Sequence, residues 1–183
     1  MKILVTGSNG LLGQKLTELL EKDRSVELIA TAARPATLAV NSGKFQLLDI
    51  TDPVAVDSVI DQHNPDVIIN TAAMTQVDQC ETQREACWKA NVDAVQNLVT
   101  ACRRNSCHLI HVSTDFIFDG TREMLDETAV PKPVNFYGES KLAGEKVIIE
   151  SDISWCIIRT VLVFGVTQDM SRSNIVLWVK KSL

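Results

Sequence analysis

Tyr137-Gly138-Glu139-Ser140-Lys141 sets a phenol and an ammonium four residues apart, a spacing that puts both on one face of a helix. An isolated tyrosine, with a pKa of about 10, exchanges protons poorly at neutral pH, and a nearby cation favours its ionised form. The pair therefore suits reversible proton transfer to a carbonyl or alcohol oxygen. Thr114, in the pair Ser113-Thr114, adds a hydroxyl that can hydrogen-bond the same oxygen. Taken singly, these residues read equally well as loop polar groups and a helix N-terminal aromatic.

Their order after a glycine turn changes that balance. Thr6-Gly7-Ser8-Asn9-Gly10-Leu11-Leu12-Gly13 follows the apolar run Ile3-Leu4-Val5 and leads into leucines at 12, 16, 19 and 20, so strand, tight turn and helix come in the order a dinucleotide site requires. Gly7 permits the turn, Gly10 lets backbone approach a pyrophosphate, and Gly13 lets the helix pack on the sheet. The helix N-terminus supplies N–H donors and a favourable dipole.

Apolar runs of strand length at 2–6, 26–31, 45–48, 67–70, 108–112 and 155–158 alternate with helix-period segments at 11–22, 53–62, 85–104 and 137–150. Several strands are continuously apolar, as buried parallel strands are. Asp52 is the expected N-cap of the second helix, with Pro53 at its first position. The alternation predicts an α/β fold, a doubly wound parallel sheet of Rossmann type occupying 1–183 as one NAD(P)-binding domain. The loop over 115–135 is long and polar. A further amphipathic segment begins at 171–181, with Ile175, Trp178 and Val179 apolar. Because the sequence stops there, the expectation is a shortened form of a longer chain, lacking most of a C-terminal substrate-binding region. An apolar patch at that end would favour a homodimer.

Lys and Arg number 18 against 23 Asp and Glu, with a net charge of -5 and no basic block, which argues against nucleic acid as a partner. The five cysteines lack CxxC spacing and fall mostly in apolar segments, fitting reduced thiols in the cytoplasm. No secretory h-region follows Met1, and no run approaches the roughly 18 apolar residues of a membrane span. His63, His108 and His111 are not spaced as metal ligands, and no metal is expected; each is read as a packing or surface group. The leucine stripe at 11, 12, 16, 19 and 20 is read as core, as are Ile148, Ile149, Ile157 and Ile158.

After the second strand, where an NAD site places an acid on the ribose diol, Ala32-Ala33-Arg34-Pro35 has none. The planar guanidinium of Arg34 suits a 2′-phosphate, which favours NADP(H), with NAD(H) the second choice. Asp49-Ile50 is placed at an adenine, although Asp49 serves equally well as turn chemistry. Ala72 and Ala73 are small enough for a cofactor to cross the sheet edge.

The chain resembles the extended short-chain dehydrogenase/reductases. Gly7, Gly10 and Gly13 match their GxxGxxG, Asn91 their mid-helix asparagine, and Thr114, Tyr137 and Lys141 their catalytic residues. The segments at 70–78, 113–120 and 137–145 resemble dTDP-4-dehydrorhamnose reductase and its relatives. The resemblance implies NADPH- or NADH-dependent reduction of the 4-keto group of a dTDP-deoxysugar, with Tyr137 as proton donor, Thr114 polarising the carbonyl and Lys141 also holding the nicotinamide ribose. It implies cofactor contacts from Gly7, Asn9, Gly10, Leu11, Leu12, Gly13, Arg34, Asp49, Ile50, Ala72, Ala73, Asn91, Tyr137 and Lys141. It implies nucleotide-sugar contacts from Thr75, Val77, Thr114, Asp115, Tyr137 and Asn174. Phe116 departs from the tyrosine usual in that family, which leaves the sugar open. With the C-terminal region short, cofactor binding without brisk turnover is expected. Two other readings stand beside this one: an NAD-dependent nucleotide-sugar epimerase or dehydratase, and a non-catalytic NADP-binding regulatory subunit such as the relative found in methionine adenosyltransferase.

Overall fold

In a computed structural model of the protein, which describes residues 1–166 together with Val179 and Ser182, six strands form one parallel sheet. These are β1 (Lys2–Thr6), β2 (Glu27–Ala32), β3 (Lys44–Leu47), β4 (Val67–Asn70), β5 (His108–Thr114) and β6 (Trp155–Thr160). Their order is β3-β2-β1-β4-β5-β6, so the direction of winding reverses between β1 and β4, where open sheets of this kind form a crevice beyond the strand ends. The register aligns Thr6 with Asn70, and Asn70 with His111, across the three central strands.

Helices α1 (Leu11–Leu20), α2 (Pro53–His63), α3 (Val77–Thr82), α4 (Arg84–Trp88), α5 (Ala94–Asn105) and α6 (Phe136–Ile149) lie between the strands. Side chains alternate across the sheet. Leu4, Ile29, Ile68 and Leu109 pack with Val56, Val59 and Ile60 of α2, Leu98 of α5 and Ile148 of α6. Ile3, Val5 and Leu28, of opposite parity, pack with Leu20 of α1. Helix α2 starts as its sequence predicts: Asp52 accepts from Val54 N and Ala55 N, with Pro53 in the first turn.

Four features differ from expectation. The segment at 85–104 is not one regular helix: a π-helical turn, Lys89–Asp93, joins α4 to α5. Helix α3 has no counterpart in the predicted elements, because six residues with four polar side chains carry too little periodicity to register. The leucine stripe of α1 is core only in part: Gly13, Gln14 and Thr17 form the buried face, Leu20 borders the core, and Leu19 is 63% exposed. That face is selected by the glycine loop, since a Cβ on Gly13 would run into Gly7 O. Ile148 is buried, but Ile149 and Ile158 are exposed. Asn174, Trp178 and the helix expected at 171–181 lie outside the described residues, apart from Val179, which is helical. Among the described residues, no helix is long and apolar enough to cross a membrane.

Strand β6 is tied to α6 by an ion pair, with Arg159 Nη2 2.7 Å from Glu145 Oε2. Glu145 is fully buried and the arginine side chain 24% exposed, so removing the cation strands a carboxylate away from water. Arg159→Met is predicted to lower stability by about 3 kcal/mol, read as a fall in the urea midpoint. The double change with Glu145→Gln should recover part of that loss.

Candidate active site

At the carboxyl end of β1 the chain turns through Gly7, whose φ of +69° is a conformation that favours glycine. A Cβ there would lie 2.8 Å from Ala72 N. The backbones after β1 and β4 therefore touch, and only a hydrogen fits between them. Gly10 caps α1 with no side-chain hydrogen bond, and no acid occupies the first turn. The positive end of the helix dipole thus faces the crevice with no counter-charge from its own first turn.

A cleft of about 420 Å³ opens beside this loop, with Gly7, Arg34, Asp49, Ile50, Ala72 and Ala73 among its walls. Six residues assigned to the cofactor from the sequence are thus brought to one place. The bare helix N-terminus, the glycine backbone that a Cβ would obstruct, and the presence of Arg34 in the lining fit the pyrophosphate and the phosphorylated ribose of a dinucleotide. Asn9 does something the sequence did not reveal. Its Nδ2 donates to Pro35 O at 2.9 Å and Arg34 O at 3.3 Å, while its Oδ1 accepts from Thr37 N at 3.0 Å. Its side chain thus ties the glycine loop to the segment carrying Arg34. Asp49 Oδ1 accepts from Thr51 N and Thr51 Oγ1, the turn chemistry that was its alternative reading. Leu11 and Leu12 are half-buried at the start of α1.

Helix α6 carries the phenol. Its first turn is held by Asn135 Oδ1, which accepts from Gly138 N, and by Glu81 Oε1, which accepts from Phe136 N at 2.6 Å. The capping role of Glu81 went unread in the sequence, because it needs a contact 55 residues away. Tyr137 packs with Cys80 and Cys87, and Met74, Val77 and Phe136 border them. Phe116 meets its ring edge-on at 5.6 Å. Thr114, at the end of β5, donates from Oγ1 to Asp115 Oδ1 at 3.1 Å and accepts from Phe116 N.

Burial raises the Tyr137 pKa above its ordinary value, and a hydrogen bond with Thr114 opposes the rise. The expectation that Lys141 sharpens the phenol is not met. Lys141 is 2% exposed, and its Nζ turns inward to donate to Val112 O at 2.9 Å, lying 3.1 Å from His111 Nε2. A buried ammonium must satisfy its donors, and a strand carbonyl is the acceptor within reach. Burial lowers the lysine pKa to about 8, against opposing pulls from Glu145 and then Cys87.

Asn91, in the π-helical turn, is buried. Its Oδ1 accepts from Met74 N and its Nδ2 donates to Met74 O and to Ser140 Oγ. It therefore joins the segment after β4 to α6, and it occupies the kind of helix irregularity that often marks functional positions. Gly144 packs on the same turn, where a Cβ would lie 2.5 Å from Asn91 O. Thr75 is exposed, Val77 borders the Tyr137 cluster, and Asp115 lies beside Thr114. His111, read as a packing residue, sits against Lys141. The Cys80 thiol is pushed up to about 12 by burial and by Cys87, which leaves it a poor nucleophile.

The RmlD substrate-binding domain model matches residues 1–181. The chain belongs to that family. Among curated relatives, a dTDP-4-dehydrorhamnose reductase of Aggregatibacter actinomycetemcomitans is 37% identical over 165 residues, covering 90% of this chain and 52% of the relative. Methionine adenosyltransferase 2 subunit beta of Pongo abelii is 31% identical over 182 residues, covering 98% and 52%. The crystal structure of a dTDP-4-dehydrorhamnose reductase from Bacillus anthracis, in complex with NADP, is 30% identical with a TM-score of 0.79, over 98% of this chain and 58% of that one. This RmlD-family chain spans about half the length of the curated relatives it matches.

The chain has one tyrosine, so phenolate absorbance reports Tyr137 alone. Its titration midpoint should lie above 10 in the folded protein, because burial disfavours the phenolate. A midpoint below 10 would contradict the burial described here.

Proposed function

We propose that this chain is the cofactor-binding part of an NADP(H)-dependent reductase acting on the 4-keto group of a dTDP-linked deoxysugar. One observation supports the proposal: the glycine-loop cleft opens beyond the carboxyl ends of β1 and β4, and Thr114 ends the neighbouring strand β5. The dinucleotide, when bound, supplies the hydride. Gly7, Gly10 and the N-terminus of α1 hold its phosphates. Arg34 holds the 2′-phosphate and Ile50 the adenine. The alanines after β4 keep the crossing low.

Tyr137 gives its proton to the carbonyl oxygen as negative charge develops there. A raised pKa keeps the phenol protonated at neutral pH, and this suits donation in the reducing direction. Thr114 Oγ1 hydrogen-bonds the same oxygen. Phe116, edge-on to the phenol, helps keep water from it. Lys141 anchors the ribose beside the strand. The nucleotide sugar lies over Thr75, Val77 and Asp115.

A second reading, a regulatory subunit that binds NADP without turnover, is favoured by similarity to the methionine adenosyltransferase subunit over 98% of the chain. The retained phenol, hydroxyl and lysine weigh against it. NADPH oxidation with a dTDP-4-keto-6-deoxy sugar by a form as long as the relatives separates the two: turnover abolished by Tyr137→Phe supports the reductase, and tight NADPH binding without turnover supports the subunit.

Calorimetric titration tests the cofactor assignment. Wild type should bind NADPH more tightly than NADH. Arg34→Ala should weaken NADPH by about tenfold, the size of one charge-assisted pair, and leave NADH unchanged. Equal affinities in both proteins would remove Arg34 from the site.

A further inference from the structure

Helix α6 is gripped on both sides of Tyr137. One residue before it, Phe136 N donates to Glu81 Oε1 at 2.6 Å, across 55 positions of sequence. One residue after it, Gly138 lies so close to the segment following β5 that a Cβ would run into Phe116 O. The phenol between them is 8% exposed, packed with Cys80 and Cys87 and met edge-on by the Phe116 ring at 5.6 Å. Cys80 and Glu81 are consecutive in α3. One short helix therefore touches the tyrosine with one residue and fixes the backbone before it with the next.

The second carboxylate oxygen of Glu81 accepts from Arg84 Nη2 at 2.7 Å, and the same guanidinium lies over the Phe136 ring, 4.8 Å from its centroid. Glu81, Arg84 and Phe136 thus close a ring of three contacts. The first N–H groups of a helix have no acceptor within it. Asn135 serves Gly138 N from inside the chain's own turn, which fixes α6 only to itself, whereas Glu81 serves Phe136 N from another helix. We propose that Glu81, braced by Arg84, is a positioning residue for Tyr137: its carboxylate sets the first turn of α6 against α3 and so holds the phenol in contact with Phe116. This deepens the reductase reading and rests on it for what the phenol does there. Val77, proposed to meet the sugar, opens the same helix as Glu81, so one element serves both the substrate and the proton donor. Besides burial, the groups acting on the phenol are Thr114 of β5, Asp115 after it, Cys80 of α3 and Cys87 of α4. A midpoint that changes on substituting Glu81 therefore reports a moved ring.

Two substitutions in the chain itself separate reach from charge. Glu81→Asp keeps the charge and stops one methylene short of Phe136 N, while Glu81→Gln keeps a carbonyl oxygen at full length and gives up the charge. The chain has one tyrosine, so two readouts belong to Tyr137 alone: the nuclear Overhauser contact with the Phe116 ring at neutral pH, and the phenolate absorbance midpoint. In Glu81→Asp the ring contact should weaken, and the midpoint should fall toward 10 by about half a pH unit or more, roughly a threefold change in the ionisation constant. Glu81→Gln should match wild type in both. A loss of stability alone would move neither in the folded protein. Wild-type values in Glu81→Asp, or Glu81→Gln moving as far as Glu81→Asp, would overturn the proposal. NADPH binding by the same samples is scored separately: the expected phenol changes with no NADPH binding would uphold the clamp and remove the reductase reading.

Discussion

Thr6, Asn70 and His111 stand side by side across β1, β4 and β5, and the buried amide of Asn70 bonds to both neighbours and to the turn that follows its own strand. Leaving any of these groups unpaired would cost about 1–3 kcal/mol each, so the three strands are held in one relative position at the edge where the crevice opens. Everything proposed for the site hangs from that line. Gly7 lies against Ala72 because β1 and β4 end together, and Lys141 is drawn inward because His111 and Val112 O wait for it on β5.

The glycine loop acts as the matching constraint on α1. Because Gly13 must meet Gly7 O without a Cβ between them, the helix turns its small and polar face to the sheet and leaves the leucines at its flanks. Chemistry therefore overrides hydrophobicity in choosing the buried face. The buried Gln14 shows the same priority, donating from Nε2 to Asn9 O, the residue that fastens the Arg34 segment to the loop.

Most of the frame was legible because it rests on patterns local in sequence. Continuous apolar runs gave all six strands to within two residues at each end, and Asp52-Pro53 gave the start of α2. That Gly7, Arg34, Asp49, Ile50, Ala72 and Ala73 would come together was legible because each follows a strand of a parallel sheet, and the strand ends meet at one cleft. What escaped depends on partners distant along the chain. His111 looks like a packing residue until Lys141, 30 positions on, is folded against it. Glu81 looks like a surface acid until Phe136 N arrives. The π-helical turn at Lys89–Asp93 is invisible to a 3.6-residue period, which simply runs through it. The lysine–phenol pairing was read from spacing alone, and spacing cannot tell that a buried ammonium will prefer a strand carbonyl.

The central claim is that one sheet edge brings a bound dinucleotide to Tyr137. The most direct measurement is the set of intermolecular nuclear Overhauser contacts in the complex with NADP+, unambiguous on the protein side because the chain has one tyrosine. The account predicts contacts from the nicotinamide ring protons to the Tyr137 ring together with contacts from the adenine to Ile50. Adenine contacts to Ile50 with the nicotinamide touching other residues and never Tyr137 would contradict it.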